Sequence, residues 1–122
     1  MKRVKLYSYK SCGTCKKAIQ YLDNNDVIYE LVDITANPPK KNELTQVLKG
    51  MGGNIKKLFN TSGLIYRNEE YAEKLKSMTE ADALSALSQK GKLIKRPVLL
   101  ASGKGICGFK QDVWDQFLDL SE

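Results

Sequence analysis

The sequence contains no histidine and only three cysteines. Without imidazole the usual base near neutral pH is missing, so a nucleophilic cysteine would have to be activated by a helix terminus and by cations. Cys107 is the only cysteine outside the pair Cys12 and Cys15, so four zinc ligands of the usual kind cannot be assembled within one chain. We expect no metal site. Cys107 is expected to be a core residue of a strand, the alternative being a second redox role.

The sequence also lacks any apolar stretch long enough to act as a signal peptide or to cross a membrane. We therefore expect a cytoplasmic protein without membrane contact. In a reducing compartment cysteines seldom form permanent disulfides, and a close pair is more often catalytic, redox-sensing or metal-binding. The spacing of Cys12 and Cys15 therefore indicates reversible thiol chemistry.

Positive charge is in excess, with 20 Lys and Arg against 14 Asp and Glu and a formal net charge of +6. Such a charge favours an acidic protein surface, a small anion or nucleic acid as partner, or serves solubility alone. The lysines are spread over most of the length, and no DNA-reading motif is present. We expect no sequence-specific binding of nucleic acid. The length of 122 residues predicts one domain, residues 1–122, and we expect a monomer.

The chain opens with a strand, a helix and a second strand. Residues 4–9 and residues 27–34 have the composition and alternation of strands. An apolar stripe at helical spacing lies between them and begins inside the cysteine motif; its members are Cys15, Ala18, Ile19 and Leu22. A crossover of this length joins parallel strands.

The middle of the chain, from about residue 39 to residue 90, is predicted to be a helical insertion between the second and third strands. Apolar spacing predicts a series of helical segments there, at residues 40–49, at 56–59, at 68–76 and after the capping residue Thr79. Strand character returns only after this insertion.

Residues 94–101 are predicted to form the third strand, and a turn at residues 102–105 leads to a hairpin partner at residues 106–109. A closing amphipathic helix is expected to begin near Asp112. The fold class is therefore α/β, with a mixed β-sheet of about four strands flanked by helices.

Cys12 follows the first predicted strand and stands at the start of the first predicted helix. Free N–H groups and the positive end of the dipole at a helix start favour a thiolate, and Lys10, Lys16 and Lys17 add cations nearby. We expect Cys12 to be the exposed nucleophile with a lowered pKa. Cys15 is expected to be the shielded resolving thiol, since this spacing permits a disulfide. Alternatively, Cys15 is a small core residue and Cys12 an ordinary surface thiol.

Four short motifs occur in a recognisable order: Tyr9-x-x-Cys12-x-x-Cys15, the turn of residues 59–63, Arg96-Pro97 and residues 108–110. Together they resemble the arsenate reductase family, which also includes the Spx regulators, over nearly the whole chain. The resemblance implies a thioredoxin-like sheet with a helical insertion, a nucleophilic Cys12 and a cis Arg96–Pro97 peptide bond. It also implies that Arg96 faces Cys12, where it would stabilise the thiolate and hold an oxyanion; the alternative is a solvated arginine.

The chain departs from the family pattern around the oxyanion. Glutaredoxin-coupled arsenate reductases hold it with three arginines, and the motif match places Asn60 and Gly108 at two of those positions. Each charged hydrogen bond lost costs about 1.5–3 kcal/mol. We therefore expect weak arsenate binding unless Lys57, Arg67 or Lys110 substitutes.

Two functions follow from the resemblance. In an enzyme, Cys12 attacks a disulfide, an arsenic-bound oxyanion or another oxidised acceptor, and Cys15 or an external thiol resolves the adduct. Thioredoxin, glutaredoxin or glutathione would then supply reducing thiols, and no bound cofactor is expected. In an Spx-like transcription regulator, the disulfide between Cys12 and Cys15 is a switch, and the partner is the C-terminal domain of the RNA polymerase α subunit. The glycine-rich residues 50–53 lie near the region that makes that contact.

Overall fold

The computed structural model describes residues 4–119 of the chain. The strands in this part are β1 (Val4–Ser8), β2 (Tyr29–Asp33), β3 (Val98–Ala101) and β4 (Lys104–Cys107). The α-helices are α1 (Gly13–Asn24), α2 (Lys41–Gly50), α3 (Leu64–Asn68), α4 (Tyr71–Lys74), α5 (Glu80–Gln89) and α6 (Gln111–Phe117). Short 3₁₀ helices occupy Ile55–Leu58 and Gly91–Leu93. No helix within residues 4–119 has the length and apolar character needed to span a membrane.

The four strands form one mixed sheet in the order β2-β1-β3-β4. β1 runs parallel to β2 and antiparallel to β3, and β3 and β4 form an antiparallel hairpin. In the centre of the sheet Leu6 lies opposite Leu31 on one side and Leu99 on the other. The predicted fold class, a mixed sheet with a helical insertion between the second and third strands, is confirmed.

Alternation along the strands sends side chains to two apolar layers, one on each face of the sheet. One layer joins the sheet to α1 and α6 and includes Leu6, Leu22 and Trp114. The other joins the sheet to the helical insertion and includes Tyr7 and Leu44. The sheet is therefore covered on both faces, and the loop between β1 and α1 lies at the carboxyl end of the interior strand β1, where Lys10 and Ser11 are exposed.

Two strands begin later than the sequence predicted. β2 begins at Tyr29 rather than at residue 27, because the Val27 N–H donates to the Leu22 carbonyl at 3.0 Å and closes the turn after α1. β3 begins at Val98 rather than at residue 94, because Ile94 forms an isolated antiparallel bridge with Phe59. In both cases residues with strand-forming side chains make contacts outside the sheet and so do not join the strand.

Two further boundaries differ within the helical and hairpin segments. The predicted helix at residues 68–76 is shorter in the structure, where it is α4 (Tyr71–Lys74). The sequence did not predict α3 (Leu64–Asn68), which precedes it, and Glu70 with a left-handed φ of 55° separates the two helices. The predicted turn at residues 102–105 is tighter, because only Ser102 and Gly103 separate β3 from β4. Both have positive φ, 53° and 78°, which matches the twist of a two-residue hairpin loop.

Helix α2 packs on β4 at a point where two glycines meet. A Cβ atom added to Gly50 would lie 1.7 Å from the carbonyl oxygen of Gly105. A Cβ atom added to Gly105 would in turn lie 2.8 Å from a methyl group of Val47. This close approach brings the end of α2, and the loop that follows it, beside the β4 strand.

Candidate functional site

Cys12 is the N-cap residue of α1, with φ −94° and ψ 116°. Its sulfur accepts a hydrogen bond from the Cys15 N–H at 3.3 Å, and the Thr14 N–H also donates to it. The Cys12 N–H donates to the Tyr9 carbonyl at 3.0 Å, which fixes the turn between β1 and α1. The sulfur therefore takes the capping position that a Ser or Asp oxygen fills in other helices.

The two thiols of the motif differ in exposure and in pKa. Cys12 is half-buried, whereas Cys15 is 1% exposed. Partial burial by itself would raise the pKa of Cys12. Hydrogen bonds from the Cys15 thiol and N–H, the positive charge of Arg96 and the Thr14 N–H outweigh burial, so this pKa is lowered. Burial, and then the hydrogen bond to Cys12, raises the pKa of Cys15 to about 12.

Arg96 is half-buried and precedes Pro97 through a cis peptide bond, as predicted. Its guanidinium carbon lies 4.9 Å from the centre of the Tyr9 ring, and Lys92 Nζ lies 5.5 Å from the same centre. A cation over an aromatic face at this distance is attracted to it. Tyr9 thus holds the guanidinium on the side of the β1–α1 turn where its charge acts on Cys12.

A groove of about 810 Å³ opens next to this turn. Thr14 and Arg96, which both act on the Cys12 sulfur, belong to its lining. We call it the basic groove, because its cationic lining residues are Lys56, Lys57, Lys95, Arg96 and Lys110. The groove extends from Thr14, two residues after Cys12, along the face formed by α6, β4 and the loop after α2; Cys12 itself is not a lining residue.

Three cations were named from the sequence as substitutes for the missing arginines, and they lie in different places in the structure. Lys57 and Lys110 line the basic groove. Arg67 does not: its guanidinium donates to the Ser62 carbonyl at 3.3 Å and the side chain is exposed. Gly108 is buried with a φ of 77°, a conformation that disfavours any side chain there.

Cys107 lies in the core layer beneath the helical insertion, 6% exposed. Its thiol donates to the Lys57 carbonyl at 3.3 Å, and burial raises its pKa to about 12. A protonated, shielded thiol of this kind is a poor nucleophile. All three cysteines are free thiols. Among residues 4–119 no cluster of three or more Cys, Asp or Glu side chains is arranged to hold a metal ion.

Sequence reasoning missed the role of Tyr9 and the full set of groove lysines. Tyr9 was part of a motif, but its contact with Arg96 joins residues 87 positions apart and has no local signal. Lys56 and Lys95 likewise come to line the same groove only when the chain is folded. Lys10, Lys16 and Lys17, which the sequence offered as neighbouring cations, are exposed, and Arg96 supplies a charge that lowers the Cys12 pKa.

A mixed sheet with a Cys-x-x-Cys motif on the helix after its first strand, and a cis proline before a later strand, defines a thioredoxin-like protein. The ArsC family model matches residues 7–117, so the chain belongs to the ArsC family. It is similar to the uncharacterized protein YusI of Bacillus subtilis, with 39% identity over 90% of this chain and 93% of YusI.

Two further likenesses connect the chain with named activities. The crystal structure of a possible arsenate reductase from Streptococcus mutans superimposes with a TM-score of 0.82 and 36% identity, covering 88% of this chain and 92% of that one. The global transcriptional regulator Spx of Streptococcus agalactiae is 24% identical over 94% of this chain and 82% of Spx. The family therefore includes relatives of both kinds.

Proposed function

We propose that the chain is a thiol–disulfide oxidoreductase in which Cys12 is the nucleophile and Cys15 the resolving thiol. The observation that supports this most directly is the opposite direction of the two pKa shifts within one helical turn. The attacking thiol is accessible and tends to the thiolate, while the resolving thiol is buried and keeps its proton until it is needed.

In the proposed reaction the Cys12 thiolate attacks one sulfur of a substrate disulfide. A bond forms between Cys12 and that sulfur, the substrate S–S bond breaks, and the second substrate sulfur leaves as a thiolate that takes up a proton. Cys15 then loses its proton and attacks Cys12, which releases the first substrate sulfur as a thiol. Two electrons have passed to the substrate, and the protein holds a Cys12–Cys15 disulfide. An external thiol such as thioredoxin, glutaredoxin or glutathione reduces it.

Arg96 has the role of stabilising the Cys12 thiolate in this scheme. Its charge lowers the Cys12 pKa, and its half-buried position limits screening by solvent. Arsenate is a poorer candidate than a disulfide, because Gly108 offers no side chain to a dianion and Asn60 is uncharged. Lys57 and Lys110 are single-point charges and lack the forked geometry of arginine.

The test compares two serine variants that differ from wild type by one sulfur each. With a model disulfide as substrate and thioredoxin or glutaredoxin as reductant, Cys12→Ser should abolish turnover. Cys15→Ser should stop after the first step and accumulate a mixed disulfide on Cys12, visible by mass spectrometry. Turnover that survives Cys12→Ser, or a mixed disulfide on Cys15 instead, would exclude the assignment.

A second candidate function is an Spx-like, redox-sensing regulator that binds the C-terminal domain of the RNA polymerase α subunit. The likeness to Spx supports it, and so does the glycine-rich segment after α2. Gly50, Met51 and Gly52 of this segment line the basic groove next to the redox pair. Oxidation of that pair would then alter a binding surface rather than complete a catalytic cycle.

A pull-down on the purified α subunit domain distinguishes the two candidates. The regulator requires binding that differs between the reduced and the oxidised chain, with little disulfide turnover. The enzyme requires turnover with an empty pull-down. Cys12→Ser with Cys15→Ser provides the control, because it removes the redox dependence and leaves the glycine segment unchanged.

A further inference from the structure

The lining of the basic groove contains five cations and no carboxylate. They are Lys56, Lys57, Lys95, Arg96 and Lys110. The four lysines are exposed, and none of the five takes part in an ion pair within residues 4–119. Like charges gathered in a concave surface focus a positive potential that attracts anionic partners. The groove therefore has a positive charge that no carboxylate in its lining neutralises, and it is complementary to a negatively charged ligand.

The floor of the same groove is apolar. Phe109 and Val113 expose apolar surface to it, with Val113 42% exposed, and Phe59 and Trp114 are buried beneath them. A volume of about 810 Å³ far exceeds that of a tetrahedral oxyanion and is typical of a site for a much larger ligand. An apolar floor beneath a cationic rim fits a peptide that combines apolar side chains with Asp or Glu.

We propose that the basic groove binds an acidic polypeptide segment and thereby presents that segment's disulfide to Cys12. This inference rests on the proposed oxidoreductase function and specifies its substrate class. Thr14 and Arg96 connect the two sites, since both line the groove, Thr14 lies in the first turn of the helix that Cys12 caps, and Arg96 contacts Tyr9 of the turn before it. A disulfide within a segment that follows the groove thus meets the nucleophile at the groove's end.

The test uses the Cys15→Ser chain, in which the adduct on Cys12 is not resolved. Two peptides of equal length and equal apolar content each have one cysteine blocked with a thiopyridyl group, with Asp and Glu flanking it in one and Lys in the other. Attack by Cys12 forms the S–S bond to the peptide and releases neutral thiopyridone, which is followed by absorbance. We expect the acidic peptide to react about tenfold faster at low ionic strength and the difference to shrink at high salt.

Two matched double lysine variants test whether the preference for the acidic peptide comes from the groove or from the net charge of the chain. Lys57→Gln with Lys110→Gln, both in the groove, should reduce the rate with the acidic peptide several-fold. Lys41→Gln with Lys104→Gln removes the same net charge from exposed positions outside the groove lining and should leave the acidic preference intact. The neutral reagent dithiodipyridine reports the intrinsic reactivity of Cys12, and its rate should be equal in both double variants.

The outcomes separate this inference from the function on which it rests. If dithiodipyridine reacts with Cys12 no faster than with free cysteine, the proposed oxidoreductase function fails. If Cys12 is reactive but the acidic and basic peptides react equally, only the groove assignment fails. Equal losses in the two double variants would also overturn it, because net charge rather than the groove would then be responsible.

Discussion

The two thiols of one helical turn have opposite pKa shifts because they occupy different positions on α1. Cys12 caps the helix and its sulfur accepts hydrogen bonds from backbone N–H groups, whereas Cys15 faces the core with 1% of its surface exposed. Each is also the other's partner: the Cys15 thiol donates to the Cys12 sulfur, which lowers the pKa of Cys12 and raises that of Cys15. Of the two thiols, Cys12 therefore loses its proton the more readily and Cys15 keeps its proton to higher pH.

Replacing Tyr9 tests how Arg96 is held. Tyr9→Leu removes the ring that lies 4.9 Å from the guanidinium carbon, and we expect the pKa of Cys12 to rise by about one unit or less as the arginine moves away. Tyr9→Phe keeps the ring and should preserve most of the wild-type value. The measurement is the rate of Cys12 alkylation by iodoacetamide as a function of pH.

Arg96→Gln sets the upper limit for this effect, because it removes the charge itself. The shift caused by Tyr9→Leu should lie between those of Tyr9→Phe and Arg96→Gln. Identical alkylation profiles for Tyr9→Leu and wild type would show that the ring does not position the guanidinium.

At the scale of the elements, local pattern was a good guide where a segment is amphipathic and its caps are local. Three of the four residues in the stripe that predicted α1 are buried, and Thr79 caps α5 by accepting the Asp82 N–H at 3.1 Å, as its spacing indicated. At β3 the prediction was wrong because of a distant residue. Ile94 pairs with Phe59 and leaves β3, and no property of residues 94–101 alone reveals that bridge.

The candidate site divides in the same way. The position of Cys12 and Cys15 could be predicted from sequence because a strand-to-helix turn is local, and the cis peptide at Arg96 followed from the resemblance. The basic groove could not, since its lysines come from the 3₁₀ helix Ile55–Leu58, the segment before β3 and the N-cap of α6. Which charges converge is decided by packing of the insertion on the sheet.

Gly50→Ala tests the close approach of α2 to β4. The added Cβ atom would lie 1.7 Å from the Gly105 carbonyl oxygen, so the helix must move, and we expect the free energy of unfolding to fall by about 1–3 kcal/mol. Gly13→Ala is the matched control, because no atom lies within 4 Å of the Cβ position there. Urea denaturation measures both, and equal stabilities for the two variants would contradict the tight contact.

On the scale of the whole molecule, charge is unevenly distributed. Residues 18–39 contain no Lys or Arg but include Asp23, Asp26, Glu30 and Asp33, and they end α1 and form the edge strand β2. The basic groove lies beside β4, at the opposite end of the strand order, and its charged lining residues are all positive. The acidic partner that we propose would therefore be repelled from the β2 edge and attracted to the groove, and this asymmetry would orient its approach to Cys12.

Two buried thiols predict that the fold weakens at alkaline pH. The pKa values of Cys15 and Cys107 are raised from the ordinary 9.0 to about 12. Above about pH 9 the unfolded chain therefore releases protons that the folded chain retains. The stabilisation is complete below the unfolded pKa and is lost as pH rises toward the folded one, at up to about 1.4 kcal/mol per pH unit for each thiol.

Cys107→Ala should reduce the loss of free energy of unfolding at alkaline pH by the contribution of one buried thiol. The variant is expected to be less stable than wild type at pH 7, because it leaves a small cavity, but to lose less of its free energy of unfolding as the pH rises above about 9. Urea denaturation with a reductant present, at a series of pH values up to about 10, measures both slopes. The raised pKa values of Tyr7, Tyr21 and Tyr29 add a loss of the same sign near pH 10, but this loss is common to both proteins and cancels in the comparison. Parallel slopes for the two proteins would mean that Cys107 ionises in the folded chain as freely as in the unfolded one.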